Sequence, residues 1–153
     1  MTGLMQNILA LNNQYAEETS WLTPEDLRTL FAQSFHVGHR GEGRDGFVIA
    51  LTRGADYQSP NYSYFCERLD DDFAYVDRIV VSGAAQSKGT GRSLYAALAE
   101  AARAAGLGRI VCEVNTLPPN PGSIAFHTKV GFKPIEEVAL STTKRVLYME
   151  RLL

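Results

Sequence analysis

The run AYVDRIVVS at 74–82, followed by GAAQSKGTG at 83–91 and RSLYAALAEAARAAG at 92–106, decides how the rest of the chain is read. Its first part has the β-branched and aromatic content of a strand, and its last part is alanine-rich with leucines at helical spacing. Between them lies a glycine-bearing loop. A strand that passes through such a loop into a helix makes a place for an anion, because the first amides of a helix have no partner within it. Gly89 and Gly91 remove Cβ atoms where a ligand would approach the backbone, and Lys88 and Arg92 add positive charge on either side. The loop reads as a pyrophosphate site.

Spacing excludes two familiar phosphate loops. The chain has no Gly-x4-Gly-Lys-Ser/Thr run, and Leu94 stands where a dinucleotide fingerprint needs its third glycine. What remains is QSKGTG at 86–91, for which an ordinary strand-to-helix turn is the plainer alternative when the hexapeptide is taken by itself.

By the period of two, Tyr75, Asp77, Ile79 and Val81 share one face of the 74–82 strand and Val76, Arg78, Val80 and Ser82 the other. The helix after the loop divides into Leu94, Leu98, Ala101, Ala102 and Ala105 on one side and Arg92, Glu100 and Arg103 on the other. Gly106 stops it, and RIVCEVN at 109–115 is the next strand. Strand, helix and strand in that order imply a right-handed parallel crossover with the two strands adjacent. Asn120 as N-cap, Pro121 as first helical residue and Gly131 as stop predict a helix just past the second strand, and 132–141 and 144–152 predict a closing pair of strands.

Upstream, Leu4, Ile8 and Leu11 have helical spacing, and Thr23 followed by Pro24, Glu25 and Asp26 opens a helix that carries Leu27, Leu30 and Phe31. FHVGHR at 35–40 and FVIALTR at 47–53 form a hairpin, with Asp45-Gly46 as its turn dipeptide. His36 and His39 read as surface residues there. Residues 54–72 are the least regular: Tyr62 to Leu69 fits a short helix or a strand, and a loop so rich in Tyr, Ser and Asn suits either an Ω-like surface loop or, the preferred reading, the wall of a substrate pocket. Asp70, Asp71 and Asp72 read as a solvated acidic turn.

Composition sets the frame. A chain of 153 residues, 45% hydrophobic, is sized for a single domain over 1–153, and a formal charge of −2 with mixed signs gives no nucleic-acid surface. Cys66 and Cys112 have no metal-type spacing and read as buried free thiols, which suits a reducing cytoplasm. The first residues lack a basic n-region and no run is apolar enough to span a bilayer, so no membrane partner is expected.

QSKGTG resembles the coenzyme A loop of the GNAT superfamily of N-acetyltransferases, Gln/Arg-x-x-Gly-x-Gly/Ala, through Gln86, Gly89 and Gly91. NPGSIAFHTKVGF at 120–132 is similar to that family's second signature through Asn120, Ser123, Phe126, Lys129, Val130, Gly131 and Phe132, with His127 standing where many relatives have tyrosine. DYQSPNY at 56–62 with EVNTLPPNPGSIAFH at 113–127 further resembles an uncharacterised bacterial branch of predicted acetyltransferases, which implies no substrate. The resemblance spans about residues 35 to 151 and implies an α/β (α+β) GNAT fold: a mixed sheet with a splayed parallel strand pair and helices on both faces. It implies acetyl-CoA as cosubstrate and direct transfer to a primary amine, most simply a small molecule, with a protein acceptor also admitted. A non-catalytic acyl-CoA-binding module and a transferase for a longer acyl group are the competing readings.

The resemblance also places the cofactor contacts on Ile79, Val80 and Val81, on the loop Gln86, Ser87, Lys88, Gly89, Thr90, Gly91, Arg92 and Ser93, and on Asn120, Ser123, Phe126 and His127. For general base the candidates are Asp77 first and Glu113 second. Asp77 has a salt bridge to a nearby arginine as its structural alternative, and Glu113 a pair with Arg109. His127 is the candidate to protonate the leaving thiolate, or else a packed helix histidine. No metal is expected. The C-terminal strand offers an edge through which two copies could pair as a homodimer.

Overall fold

A computed structural model describes residues 1–153. In chain order its elements are α1 (Gly3–Gln14), the single turn α2 (Ala16–Thr19), α3 (Pro24–Gln33), β1 (His36–Arg40), β2 (Gly46–Thr52), α4 (Pro60–Arg68), β3 (Ala74–Val81), α5 (Thr90–Ala104), β4 (Arg109–Leu117), α6 (Pro121–Lys129), β5 (Lys133–Ala139) and β6 (Arg145–Leu152). The strands make one mixed sheet in the order β1-β2-β3-β4-β6-β5, in which only β3 and β4 run parallel.

Helices cover both faces. On one, Ile8 and Leu11 of α1, Leu27 and Leu30 of α3 and Tyr62 and Phe65 of α4 pack on Phe47, Ile49, Leu51, Tyr75, Val111 and Tyr148. On the other, Leu94, Tyr95, Leu98, Ala99 and Ala102 of α5 pack on Val48, Ala50, Val76, Ile110, Cys112 and Met149, with Val130 and Phe132 closing that side. Tyr95 and Ala99 thus belong to the buried stripe, whereas Ala101 is half-buried and Ala105, beyond the helix end, is exposed.

The strict alternation read from 74–82 fails at one residue. Arg78 pairs with Ile49 and Val76 with Ala50, so Asp77 is the extra residue of a β-bulge. Beyond it the faces exchange: Val80 packs on the α1–α4 side with Tyr75, and Ile79 and Val81 on the α5 side with Val76. Two further expectations change. The β1–β2 connection turns at Gly41, Glu42 and Gly43, all with positive φ, and Asp45-Gly46 leads straight into β2. The C-terminal strand β6 has β4 on one side and β5 on the other, so the open edges of the sheet are those of β1 and β5.

The parallel pair separates early. β3 and β4 are in register only at Ala74 with Ile110 and Tyr75 with Val111, after which β3 stays with β2 and β4 with β6. From Val76 and Cys112 onward the backbone groups that face each other across the gap have no ladder partner.

Candidate active site

The gap between the diverging strands is the floor of a cleft of about 470 Å³ that reaches both faces of the sheet. On the α5 side it meets Asn120, Ser123 and His127 of α6, and on the other side Tyr57, Asn61, Tyr75, Asp77 and Glu113.

The start of α5 differs chemically from the other long helices. Thr2, Thr23, Ser59 and Asn120 each cap their helix with a side-chain oxygen, whereas Gly89, the N-cap of α5, offers none. The amides of Gly89, Thr90, Gly91 and Arg92 therefore have no partner in the protein. The two glycines serve different ends. Gly89 sits at φ 81° in open space, a backbone conformation that L side chains adopt at a cost. A Cβ on Gly91 would fall 2.7 Å from the ring of Phe126, so its bareness lets α5 and α6 approach each other. Gln86 donates its side-chain amide to the carbonyl of Val81 at 3.2 Å, tying the loop to the end of β3. Ser93 accepts from Arg40 Nε at 2.8 Å, which fixes the first turn of α5 to β1; Arg40 escaped the sequence reading because its partner lies 53 residues away.

Asp77 is committed to a structural pair. Arg78 Nε donates to its carboxylate at 2.7 Å with both side chains almost wholly buried, and the Tyr57 hydroxyl donates to its other oxygen. Arg78 continues to Asn12 Oδ1 at 3.0 Å and to the Ser20 carbonyl at 3.4 Å, linking the bulge to the α1–α3 segment.

Glu113 stands in a different environment. Arg109, its alternative partner by sequence, pairs with Asp71 and Glu150 instead. The Glu113 carboxyl receives the Tyr75 hydroxyl at 3.0 Å and Asn61 Nδ2 at 3.0 Å, and no cation pairs with it. Burial, with the nearby negative charge of Asp77 second, pushes its pKa up to about 8; the Tyr75 and Asn61 hydrogen bonds work in the opposite direction and are outweighed. This gives a prediction for stability. An acid whose folded pKa exceeds its unfolded value of 4.5 makes the folded state hold an extra proton between 4.5 and about 8. That contribution is fully present below the lower value and is lost as pH rises through the upper one, amounting to a few kcal/mol, on the order of 1.4 per pH unit. Thermal unfolding from pH 5 to 9 is expected to fall in the parent and to be flatter in Glu113→Gln; parallel curves would show that Glu113 is not the group responsible.

His127 is buried in α6 with both nitrogens engaged. Its Nδ1 lies 2.7 Å from the Ser123 carbonyl, which only accepts, so Nδ1 carries the proton; Nε2 then accepts the Tyr95 hydroxyl at 2.7 Å. Burial lowers its pKa, with the Ser123 carbonyl opposing. The ring is therefore neutral and spans α5 and α6, the arrangement of a packed helix histidine.

Tyr57 and Asn61 lie in the stretch read as a pocket wall, whereas Tyr75 and Tyr95, which also line the cleft, and Tyr148, which stands behind Asn61, are not singled out by the sequence as site residues. A usable signal existed for α4, because Ser59-Pro60 repeats the N-cap and proline pattern of Thr23-Pro24 and Asn120-Pro121. Cys112 is buried and Cys66 half-buried, both free. No group of histidine, cysteine, aspartate and glutamate is arranged to hold a metal ion, and no helix is long and apolar enough to cross a membrane.

The acetyltransferase (GNAT) family model matches residues 5–132. The chain belongs to that family. No curated protein matches it. Among solved structures, the ribosomal-protein-alanine N-acetyltransferase from Brucella melitensis is 19% identical, with a TM-score of 0.68 over 97% of this chain and 94% of that one. A chain of the NatC complex bound to Gag peptide and CoA is 11% identical, with a TM-score of 0.72 over 100% of this chain and 92% of that one. The IAA acetyltransferase from Bacillus cereus is 16% identical, with a TM-score of 0.57 over 86% and 85%. These likenesses are of fold. Within the GNAT frame, the splayed strands and the uncapped α5 loop are the features that the sequence motifs anticipate.

Proposed function

We propose that this GNAT protein is an N-acetyltransferase that moves an acetyl group from acetyl-CoA to a primary amine, with both reactants bound at once in the cleft. The observation that carries the reading is the Glu113 carboxyl, paired with no cation and with its pKa pushed up to about 8 by burial, in the gap where β3 and β4 separate, in a chain whose α5 starts with uncapped amides. Relatives of the same fold crystallised with CoA support the cosubstrate.

Acetyl-CoA supplies the acetyl group as a thioester when bound. The amides of Gly89, Thr90, Gly91 and Arg92, with the Lys88 and Arg92 side chains and the neighbouring Ser87 and Ser93, would hold its diphosphate. The backbone of β3 at Ile79 and Val81, where it faces the gap while Val80 pairs with Phe47 of β2, would take the amide groups of its arm, and Asn120, Ser123 and Phe126 would flank it. Gln86 holds the loop in place. Glu113 accepts the proton that the amine must lose before it attacks, a task that suits a carboxyl with a pKa near the working pH. Asp77, committed to Arg78, sets the electrostatic environment of Glu113. His127, whose one ring proton sits on Nδ1 and is donated to the Ser123 carbonyl, keeps α6 against α5, and as the C–N bond forms and the C–S bond breaks the departing thiolate would take its proton from solvent.

The acceptor enters from the side of Tyr57 and Asn61. Structural neighbours act, by name, on ribosomal-protein alanine and on IAA, so a small molecule and a protein N-terminus both suit the reading.

Thiol release from acetyl-CoA with a panel of amines tests it. Amine-dependent release supports the transferase; CoA binding without any amine-dependent release identifies a non-catalytic binding module. Gly89→Asp is expected to weaken CoA binding by roughly tenfold or more, by setting a negative charge among amides that favour an anion. Gly106→Asp, also at positive φ in open space but at the far end of α5, serves as the control for backbone cost. Equal calorimetric affinities in the two variants would remove the loop from the binding site.

A further inference from the structure

The carboxamide of Asn61 can face Glu113 with its NH2 or with its oxygen, and the two orientations have opposite consequences. The NH2 stabilises the ionised carboxylate; the oxygen repels it. The ionised carboxylate, which only accepts, favours the NH2, and a group on another strand holds the amide that way round. The Tyr148 hydroxyl of β6 donates to Asn61 Oδ1 at 2.8 Å, which turns Nδ2 toward Glu113 Oε1 at 3.0 Å. Tyr148 itself has no freedom to leave: its ring stacks on Tyr64 with centroids 3.8 Å apart and meets Phe65 edge-on at 5.3 Å. The residue is buried at 1% exposure, and no other hydrogen bond claims its hydroxyl.

We propose that Tyr148 is a positioning residue for the transfer reaction, its hydroxyl locking the Asn61 amide so that Glu113 meets a donor and serves as the base. The inference rests on the proposed function for its catalytic meaning, while the hydrogen-bond chain Tyr148 to Asn61 to Glu113 stands on geometry alone. The other groups facing Glu113 are Tyr75 and Asp77 from β3 and Tyr57 ahead of α4, with Tyr95 on α5 and Cys112 beside it on β4. None of them touches Asn61 Oδ1.

Tyr148→Phe keeps the stacked ring and removes only the hydroxyl. With the far end of the amide no longer held, its hydrogen bond to Glu113 weakens, and the ascending limb of the kcat/KM profile is expected to move up by as much as about one pH unit, the shift for the loss of one hydrogen bond to a charged group. Asn61→Leu is expected to give the same shift. The double variant is expected to shift no further than Asn61→Leu alone, because Tyr148 acts through Asn61. The Glu113 titration itself, followed by NMR on glutamate carboxyl carbons labelled with carbon-13, supplies a reading that needs no turnover. A Glu113 titration unmoved in Tyr148→Phe, or shifts that add in the double variant, would overturn the proposal. A moved titration that the rate profile does not follow would instead leave the positioning intact and remove Glu113 from the role of base.

Discussion

Glu113→Gln is expected to lower kcat for amine acetylation by about 100- to 10,000-fold, the range over which a positioned general base contributes. KM for acetyl-CoA should stay unchanged, because the amides of α5 and the strand backbone that would hold it are untouched. Glutamine keeps the shape of the protonated acid and can still accept the Tyr75 hydroxyl, so the cleft is expected to stay assembled. The decisive feature is the pH profile. In the parent, kcat/KM should rise with pH through about 8, where Glu113 loses its proton. In the variant that limb should be absent when the acceptor is an amine already neutral at pH 6. A profile that rises identically in both proteins would assign the limb to the acceptor or to another group.

Arg78→Met should cost about 3–5 kcal/mol of stability, because it strands the buried Asp77 carboxylate without its cation. For a domain of this size that is a fall in Tm on the order of 10 °C. Asn12 Oδ1 loses Arg78 as a donor at the same time, and the carbonyl of Ser20 keeps only Asn12 Nδ2. Ser20 holds φ at 104°, a region that side-chain-bearing residues occupy only when their surroundings enforce it, and Arg78 and Asn12 are the groups that grip its carbonyl. Replacing both charges, as in Asp77→Leu with Arg78→Met, should recover part of the loss, since a buried pair is more costly to halve than to remove. A single variant that melts with the parent would show that the pair does not hold the bulge. In folded Arg78→Met the negative charge of Asp77 is no longer offset, so the Glu113 limb should also move to higher pH.

Much of this fold is legible in local chemistry. The N-caps Thr23 and Asn120 with their following prolines, the stops Gly106 and Gly131 at positive φ, and the crossover from 74–82 through α5 to 109–115 are short-range signals, and they appear where they are read. The GNAT motifs fall on the α5 loop and on α6 for reasons the structure supplies: an uncapped helix start at Gly89 and a close crossing of Gly91 with Phe126. What the sequence hides is long-range. A bulge at Asp77 leaves no mark in a strand's composition, yet it reverses the faces of Ile79 and Val81. Asp77 and Glu113 look alike as isolated acids; only the fold gives one to Arg78 and leaves the other to Tyr75 and Asn61. In the same way Asn61 and Tyr148, 87 residues apart, cannot be joined by any pattern along the chain.

The central claim is that an anion site at the front of α5 and a base across the strand gap serve one bound acetyl-CoA. A crystal structure of the protein with acetyl-CoA tests it most directly. The account predicts the diphosphate on the amides of Gly89 to Arg92, the arm between β3 and β4, and the thioester on the path to Glu113. Diphosphate bound elsewhere, or an arm that leaves the gap between the strands empty, would contradict it.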